Sequence, residues 1–376
     1  MAPGARVVHA TRSEPGEIVD ELRREFGAID PVAVLFFASS ALDFGEIAAG
    51  IAAAFPGACS VGCTSGGEVG PAGCTTGRVV ALALAAPGRA QAALLEEASQ
   101  LRFGPTCQRI EALVAGFGDA PPSSSVLITL TDGLSGAEEL LLAAAKAVAP
   151  DVALVGGSAA DDFHFESTQV AVDGRVARGG AALLMLEPRR EFAPIHLHHY
   201  ERIADAIVVT EADPSRRLIA RLNGFPAAAE LVRAFGIDEV MLREQPRLAL
   251  ASAVFGVPMG SSIFLRSVMS VQGDALLMGG GVEEGTLMYP MRPGDLVTAT
   301  SEGLARVLTE VPGAEAMLLF NCSGRLWEAR ASGRLDALAA AMTPVLAAGF
   351  STYGEQYRHI QVNHTLTGLV FGRCDD

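Results

Sequence analysis

Three stretches of this chain follow one rule, and the rule leaves few folds open. Gly349-Phe350-Ser351-Thr352-Tyr353-Gly354-Glu355 reads as the exit of a buried strand, Pro344 to Ala348, into a tight, hydroxyl-lined turn that ends on a carboxylate. Gly62-Cys63-Thr64-Ser65-Gly66-Gly67-Glu68 repeats the spacing G-x-[ST]-[ST]-x-G-E, and Gly156-Gly157-Ser158-Ala159-Ala160-Asp161 is a looser third version. An apolar run ends 25, 26 and 29 positions before each first glycine, at Phe37, Leu130 and Phe320. That distance suits a strand, a crossover helix and a second, parallel strand. A threefold β-α-β repeat is therefore expected.

Between the repeats the pattern is mixed. Pro15 to Phe26 has helical apolar spacing with Ser13 as N-cap, and Val32 to Phe37 reads as a strand covered on both faces. Asp43 to Phe55, Pro105 to Phe117 and Ala137 to Val148 read as helices. Arg78 to Leu84 and Gln91 to Leu95 are expected to pair around Pro87-Gly88, and Gln169 to Val172 with Ala177 to Leu186 across Asp173-Gly174. Arg217 to Leu222 reads as a strand, Pro226 to Phe235 as a helix, and Ser262 to Val271 with Ala275 to Gly279 as a hairpin. Thr300 or Ser301 is expected to cap a helix from Glu302 to Leu308, and His359 to Gly372 to form one final alternating strand. The fold class is α/β to α+β: mixed β-sheets flanked by helices, in two related domains with repeated β-α-β units, 1–216 and 217–376.

Composition narrows the function. A net charge of −15 argues against general nucleic-acid binding, which needs a cationic footprint. Lys146 is the single lysine, which makes Schiff-base chemistry a poor expectation. The amino terminus lacks the apolar core of a signal peptide, and no run of eighteen apolar residues offers a membrane span. The six cysteines, Cys59, Cys63, Cys74, Cys107, Cys322 and Cys374, form no CxxC pair and read as reduced thiols of a cytoplasmic protein.

Chemistry-bearing residues gather at the turns. Cys63 and Cys322 sit at strand ends; a reactive thiolate needs a cation or a helix N-terminus, and Arg325 with the helix after Asn321 offers both to Cys322. Glu68, Asp161 and Glu355 end the turns, where they can hold a ligand's amine, orient a histidine, pair with Arg325 or cap turn amides. In His196-Leu197-His198-His199-Tyr200, alternate histidines share a strand face, but no third ligand stands at zinc spacing. The glycine turns lack P-loop or GxGxxG context, so nucleotide binding is not expected.

Five motifs occur in an order that resembles the FIST family, with its FIST-N and FIST-C domains. They are Val61 to Glu68, Gly156 to Ala159, Leu222-Asn223-Gly224-Phe225-Pro226-Ala227, Asn321-Cys322-Ser323-Gly324-Arg325, and Tyr353-Gly354-Glu355 continuing to Asn363-His364-Thr365-Leu366. The resemblance implies a cytoplasmic, non-enzymatic sensory module that binds a small ligand between two domains. Ile195 to Ala229 and Thr352 to Arg358 are most similar to the family's haem-binding, nitric-oxide-sensing branch, whose members partner with sensor histidine kinases. It implies haem with His199 as axial ligand, or His198 in its place, since haem needs a single imidazole in an apolar pocket. The sequence departs from the family pattern at His364, where glutamine is more usual. The ligand-contacting set is then Cys63, Thr64, Ser65, Glu68, Ser158, Asp161, Asn321, Cys322, Arg325, Tyr353, Gly354, Glu355 and Asn363. Two alternatives stand beside haem: a sensor of a small metabolite, or an enzyme using the Cys322 thiol or a turn carboxylate.

Overall fold

The structure, a computed structural model, describes residues 4–97, 101–118, 121–251, 253–260 and 262–373. It divides into two compact units: the chain leaves the first after Leu197, returns to it at Thr300, and gives Val362–Thr365 to the second. This division by compactness cuts the chain at other places than the sequence division into 1–216 and 217–376.

The first unit runs through one plan three times. The first copy is β1 (Ala5–Ala10), α1 (Pro15–Phe26), β2 (Pro31–Ser39), α2 (Phe44–Ala54), β3 (Cys59–Ser65), a short hairpin β4 (Glu68–Gly70) and β5 (Gly73–Thr75), and β6 (Val79–Ala85). The second is β7 (Arg89–Leu95), α3 (Phe103–Ala115), β8 (Val126–Thr131), α4 (Glu138–Val148), β9 (Ala153–Ser158), hairpin β10 (Gln169–Val172) and β11 (Arg175–Arg178), and β12 (Ala181–Glu187). The third opens with β13 (Phe192–Leu197). Before it resumes, the chain forms β14 (Tyr200–Arg202), β15 (Ile207–Asp213), β16 (Leu218–Leu222), β17 (Phe225–Pro226), α5 (Ala227–Phe235), α6 (Glu239–Glu244), α7 (Pro246–Leu250), β18 (Val254–Met259), β19 (Ser262–Gln272), β20 (Ala275–Met278) and β21 (Leu287–Pro293). The third copy then completes itself with α8 (Leu296–Glu310), β22 (Ala316–Cys322), α9 (Ser323–Ala331), α10 (Leu335–Met342), β23 (Leu346–Thr352), hairpin β24 (Glu355–Tyr357) and β25 (Ile360–Val362), and β26 (Leu366–Phe371).

Each copy centres on a parallel pair, β2 with β3, β8 with β9, and β22 with β23. Antiparallel β6, β12 and β26 flank the first strand of each pair, with β1, β7 and β13 outside them. The hairpins are exchanged in a cycle. The first copy's β4 pairs with β23, the third copy's β24 with β9, and the second copy's β10 with β3. Three six-stranded sheets result.

Alternation along the central strands explains the layers. Val34, Phe36 and Ala38 of β2 pack with Ile18, Leu22, Phe26 and Ile47 of α1 and α2. Leu127 of β8 packs likewise with Ile110, Leu113, Leu141 and Leu142 of α3 and α4. The opposite faces, including Leu35, Phe37, Ile128, Leu130, Leu318, Phe320 and Phe350, form one shared core. Phe37 stacks on Phe350 at 4.6 Å and meets Phe320 edge-on at 6.3 Å; each such pair adds about 0.5–1.5 kcal/mol beyond its buried area.

The second unit is an antiparallel sheet in the order β14-β21-β15-β16-β20-β19-β18, closed into a small barrel because β18 also pairs with β21. Ala227 and Leu231 of α5 join its core.

The three expected β-α-β units are present, but several neighbours differ from the sequence reading. Residues 79–85 and 89–95 lie in different sheets, and β10 pairs with Arg175–Arg178 while Ala181–Glu187 pairs with β7 and β8. Glu14, not Ser13, is the N-cap of α1, with Pro15 setting the first turn. Thr300 lies inside α8, and the expected final strand is two, β25 and β26. Cys374 lies outside the described residues.

Candidate functional site

The recurring glycine has a steric origin. Gly62, Gly156 and Gly349 each stand beside the backbone of the neighbouring parallel strand. A Cβ there would lie 2.5 Å from the Phe36 carbonyl oxygen, 2.2 Å from that of Thr129 and 2.1 Å from that of Leu319. These distances are far below van der Waals contact, so each strand pair closes only with glycine at that position.

Beyond the glycines, the three strand ends interlock. Gly66 N–H donates to the Ser351 carbonyl (2.8 Å), Tyr353 N–H to that of Ser158 (3.1 Å), and Ala160 N–H to that of Thr64 (3.0 Å). Gly66, Ala160 and Tyr353 are equivalent positions, as are Thr64, Ser158 and Ser351, so the bonds form a closed ring of three. Ser351 N–H to the Gly67 carbonyl and Ser158 N–H to that of Gly354, both 2.7 Å, tighten two of its sides. The ring joins the carboxyl ends of three parallel strand pairs, where open α/β sheets place their ligands.

Two copies bury a hydroxyl–carboxylate pair at the ring. Ser65 Oγ donates to Glu68 Oε1 and Thr352 Oγ1 to Glu355 Oε1, and all four residues are fully buried. Glu68 Oε2 also accepts from Arg78 N (3.1 Å) and Thr75 Oγ1 (3.3 Å). Thr75 Oγ1 lies 2.7 Å from His9 Nε2, and His9 Nδ1 faces Ala72 N–H at 3.3 Å. Burial pushes the Glu68 carboxyl up to about 7; its hydrogen bonds from Ser65, Arg78 and Thr75 oppose the shift, and the charge of Asp162 adds to it. Burial and the neighbouring Arg78 push His9 down to about 4. In the second copy, Ala159 and Val170 occupy the two equivalent positions.

Asp161 does what a turn-ending carboxylate most commonly does. It accepts from Phe165 N (2.8 Å), Glu166 N (2.7 Å) and Ser167 N (2.8 Å), and from Tyr353 Oη (2.5 Å). Burial disfavours its charge, but the Tyr353 hydroxyl and the three amides outweigh that and lower its pKa. Burial and the Asp161 hydrogen bond raise the Tyr353 hydroxyl well above its usual range. The loop so held carries positive φ at Asp162 (54°), Phe163 (68°) and Phe165 (58°), and the half-exposed Phe165 ring stacks on Tyr353 at 4.4 Å. Strain of this kind costs on the order of 1–3 kcal/mol per residue and concentrates at functional positions.

The third copy supplies the most polar wall. Arg325, 1% exposed, donates from Nε to Asn321 Oδ1 (2.9 Å) and from a terminal nitrogen to Thr300 Oγ1 (2.7 Å). An amide and a hydroxyl are thus two of its partners at this wall. Cys322 is buried at the N-cap of α9. Ser323, the first residue of α9, has a buried Oγ without a hydrogen-bond partner, 3.0 Å from where a Cβ on Gly66 would lie. Cys63 is fully buried, and that burial pushes its thiol well above the usual range. It packs with the apolar core.

Of the residues singled out from sequence, Thr64, Ser65, Glu68, Ser158, Asp161, Asn321, Arg325, Tyr353, Gly354 and Glu355 gather in or next to the ring of the first unit. Asn363 belongs to the second unit, where its Oδ1 accepts from Ser267 N at 3.2 Å. Ser323 and Gln356 were missed. Gln356, fully buried, donates to Ser158 Oγ and to Gln361 Oε1, both at 3.0 Å.

His198 and His199 also belong to the second unit. His199 is 4% exposed, and its ring packs 4.7 Å from that of Tyr200, whose hydroxyl lies 3.0 Å from His364 Nδ1. A haem would need an apolar slot open beside the imidazole, and the His199 side chain is buried in this fold. His198, beside it, is half-buried. Among the described residues no group of three or more His, Cys, Asp or Glu is arranged to hold a metal ion, and no helix is long and apolar enough to cross a membrane.

Residues 32–224 match the FIST N domain and residues 227–358 the FIST C domain. Among solved structures, that of a chorismatase is similar over 98% of this chain and 98% of its own, with 9% identity and a TM-score of 0.38, too slight a likeness to carry any argument. No curated protein matches the chain.

Proposed function

We propose a sensory function, from the premise that the chain belongs to the FIST family of sensory domains linked to signalling. The protein takes a small polar metabolite at the ring, and occupancy alters a surface read by a signalling partner such as a histidine kinase. One observation carries this reading. The second copy builds its side of the ring with Ala159 and Val170, so the fold does not require the buried Ser65–Glu68 and Thr352–Glu355 pairs. Burying a carboxylate costs several kcal/mol unless its partners compensate. Two carboxylates kept at that cost point to a binding role.

The edge of the ring beneath the half-exposed Phe165 sets the ligand's chemistry. Asp161 and the Tyr353 hydroxyl receive an amine or hydroxyl, while Ser323 Oγ and the N-terminal amides of α9 suit an anionic or carbonyl end. Phe165 must leave Tyr353 to admit it. Thermal melts of the full chain with a panel of amino acids, hydroxy acids and dicarboxylates test this. At least one compound at about 100 times its Kd should stabilise by roughly 2.7 kcal/mol, a shift of several degrees. The same compound should lose that shift in Tyr353→Phe. A flat panel, or equal shifts in the variant, would sink the ring as the site.

The haem reading is tested separately. Haemin titration is expected to give no Soret band that changes in His199→Ala or His198→Ala. A band lost in either variant would reinstate haem and move the site to the second unit.

A further inference from the structure

We propose that the cleft beside the β24–β25 turn is a second binding site, independent of the ring, for a small organic anion with an apolar body. The cleft has a volume of 450 Å³, within the range of small-molecule sites, and all of its lining residues lie in the first unit. Phe192 and Pro194 of β13 and Val152 and Leu154 at the start of β9 line its apolar part. Lys146, Arg358 and His359 bring cationic or hydrogen-bonding groups, with Asp151 the acidic residue of the lining. In a chain of net charge −15, the single lysine stands at the same cleft as an arginine and a histidine.

The turn itself carries the argument further. Arg358 (φ 48°) and His359 (φ 64°) are the two central residues of the β24–β25 hairpin, and both lie in the left-handed region. Such a turn prefers Asn-Gly or Asp-Gly, and the equivalent β10–β11 hairpin has Asp173 (φ 48°) and Gly174 (φ 79°) there. Arginine gains nothing from this conformation, so the sequence accepts here a backbone strain that Asp173-Gly174 avoids in the second copy. What it obtains is Arg358 and His359 at the cleft. Nε2 of His359 is buried with no hydrogen-bond partner, a donor or acceptor left over for a ligand. Lys146 and Arg358 are exposed, so their charges are not consumed by the core.

The carboxylate and phosphate versions of the ligand are separated by titrating the full chain calorimetrically with benzoate, phenyl phosphate and inorganic phosphate. At least one aromatic anion should bind, with inorganic phosphate at least tenfold weaker. Lys146→Ala and Arg358→Ala should each weaken binding roughly tenfold or more, as expected for loss of a charge-assisted contact. Arg175→Ala, at the β10–β11 hairpin, should leave it unchanged. Arg358→Gly is the decisive variant, since it should lose binding while raising the melting temperature, because glycine relieves the strained φ. A purely structural arginine would do the reverse. The proposal is overturned by no binding of either aromatic anion, by equal binding of inorganic phosphate, or by variants that bind like the parent. Tyr353→Phe should leave this binding intact, so failure here and failure at the ring are distinguishable.

Discussion

A methyl group placed on Gly349 should destabilise the protein by about 3 kcal/mol or more. The new Cβ would sit 2.1 Å from the Leu319 carbonyl oxygen and 2.8 Å from its carbon. That obstacle is backbone, fixed by the β22–β23 ladder, and cannot swing aside like the end of a side chain. Relief requires the two parallel strands to part, loosening hydrogen bonds that each contribute about 1 kcal/mol, and the disturbance reaches Ser351 and Thr352 within three residues. Gly16→Ala is the control: nothing lies within 4 Å of a Cβ there, in the first turn of α1, so it should be neutral or slightly stabilising. Thermal and urea unfolding of both variants decide the matter. A Gly349→Ala protein within 0.5 kcal/mol of the parent would mean that the repeat glycine answers to something other than strand closure.

The same glycine shows why part of the fold was legible. A continuous apolar strand, a helix-length gap and a glycine forced by the neighbouring carbonyl are all local, and they recur wherever the unit recurs. The alignment of Gly62, Gly156 and Gly349 read from the sequence is the one the registers give. Strand partners were not legible, because the hairpins are exchanged between sheets. Glu68 begins a three-residue strand whose partner is Phe350, far along the chain, and no turn signal encodes that pairing. Arg78 to Leu84 and Gln91 to Leu95 looked like a hairpin because they are adjacent, yet they are the last strand of one copy and the first of the next. The departure at Leu197 was hidden for a related reason: β13 and β14 are separated by only two residues, with no glycine, proline or linker composition to mark a boundary. At the site, hydroxyls and carboxylates were visible as residue types, but their burial was not. Nor did the sequence distinguish Asp161, which caps amides, from Glu68 and Glu355, which bond a hydroxyl three residues earlier.

That distinction makes Glu68→Gln the most informative substitution at the ring. The Glu68 carboxyl sits near 7 in the folded protein, chiefly from burial, against an ordinary 4.5. Between those values the folded chain holds a proton that the unfolded chain releases. The stabilisation from that proton is fully present below about 4.5 and is lost as pH rises through 7. The difference amounts to about 3 kcal/mol. Glutamine is uncharged throughout and can still accept from Arg78 N while donating to Ser65 Oγ. Relative to the parent, Glu68→Gln should therefore be close to neutral at pH 5 and more stable by a few kcal/mol at pH 8, in unfolding measured at several pH values. Other titrating groups, His9 among them, are common to both proteins and largely cancel in the comparison. A stability difference that stays constant across that range would show that Glu68 is ionised in the fold with its charge fully compensated. A difference that grows with pH would make Glu68 a carboxyl poised near neutrality inside the ring, able to meet a ligand as proton donor or as acceptor. The apolar pair Ala159 and Val170 leaves the second copy without that capacity at its equivalent place.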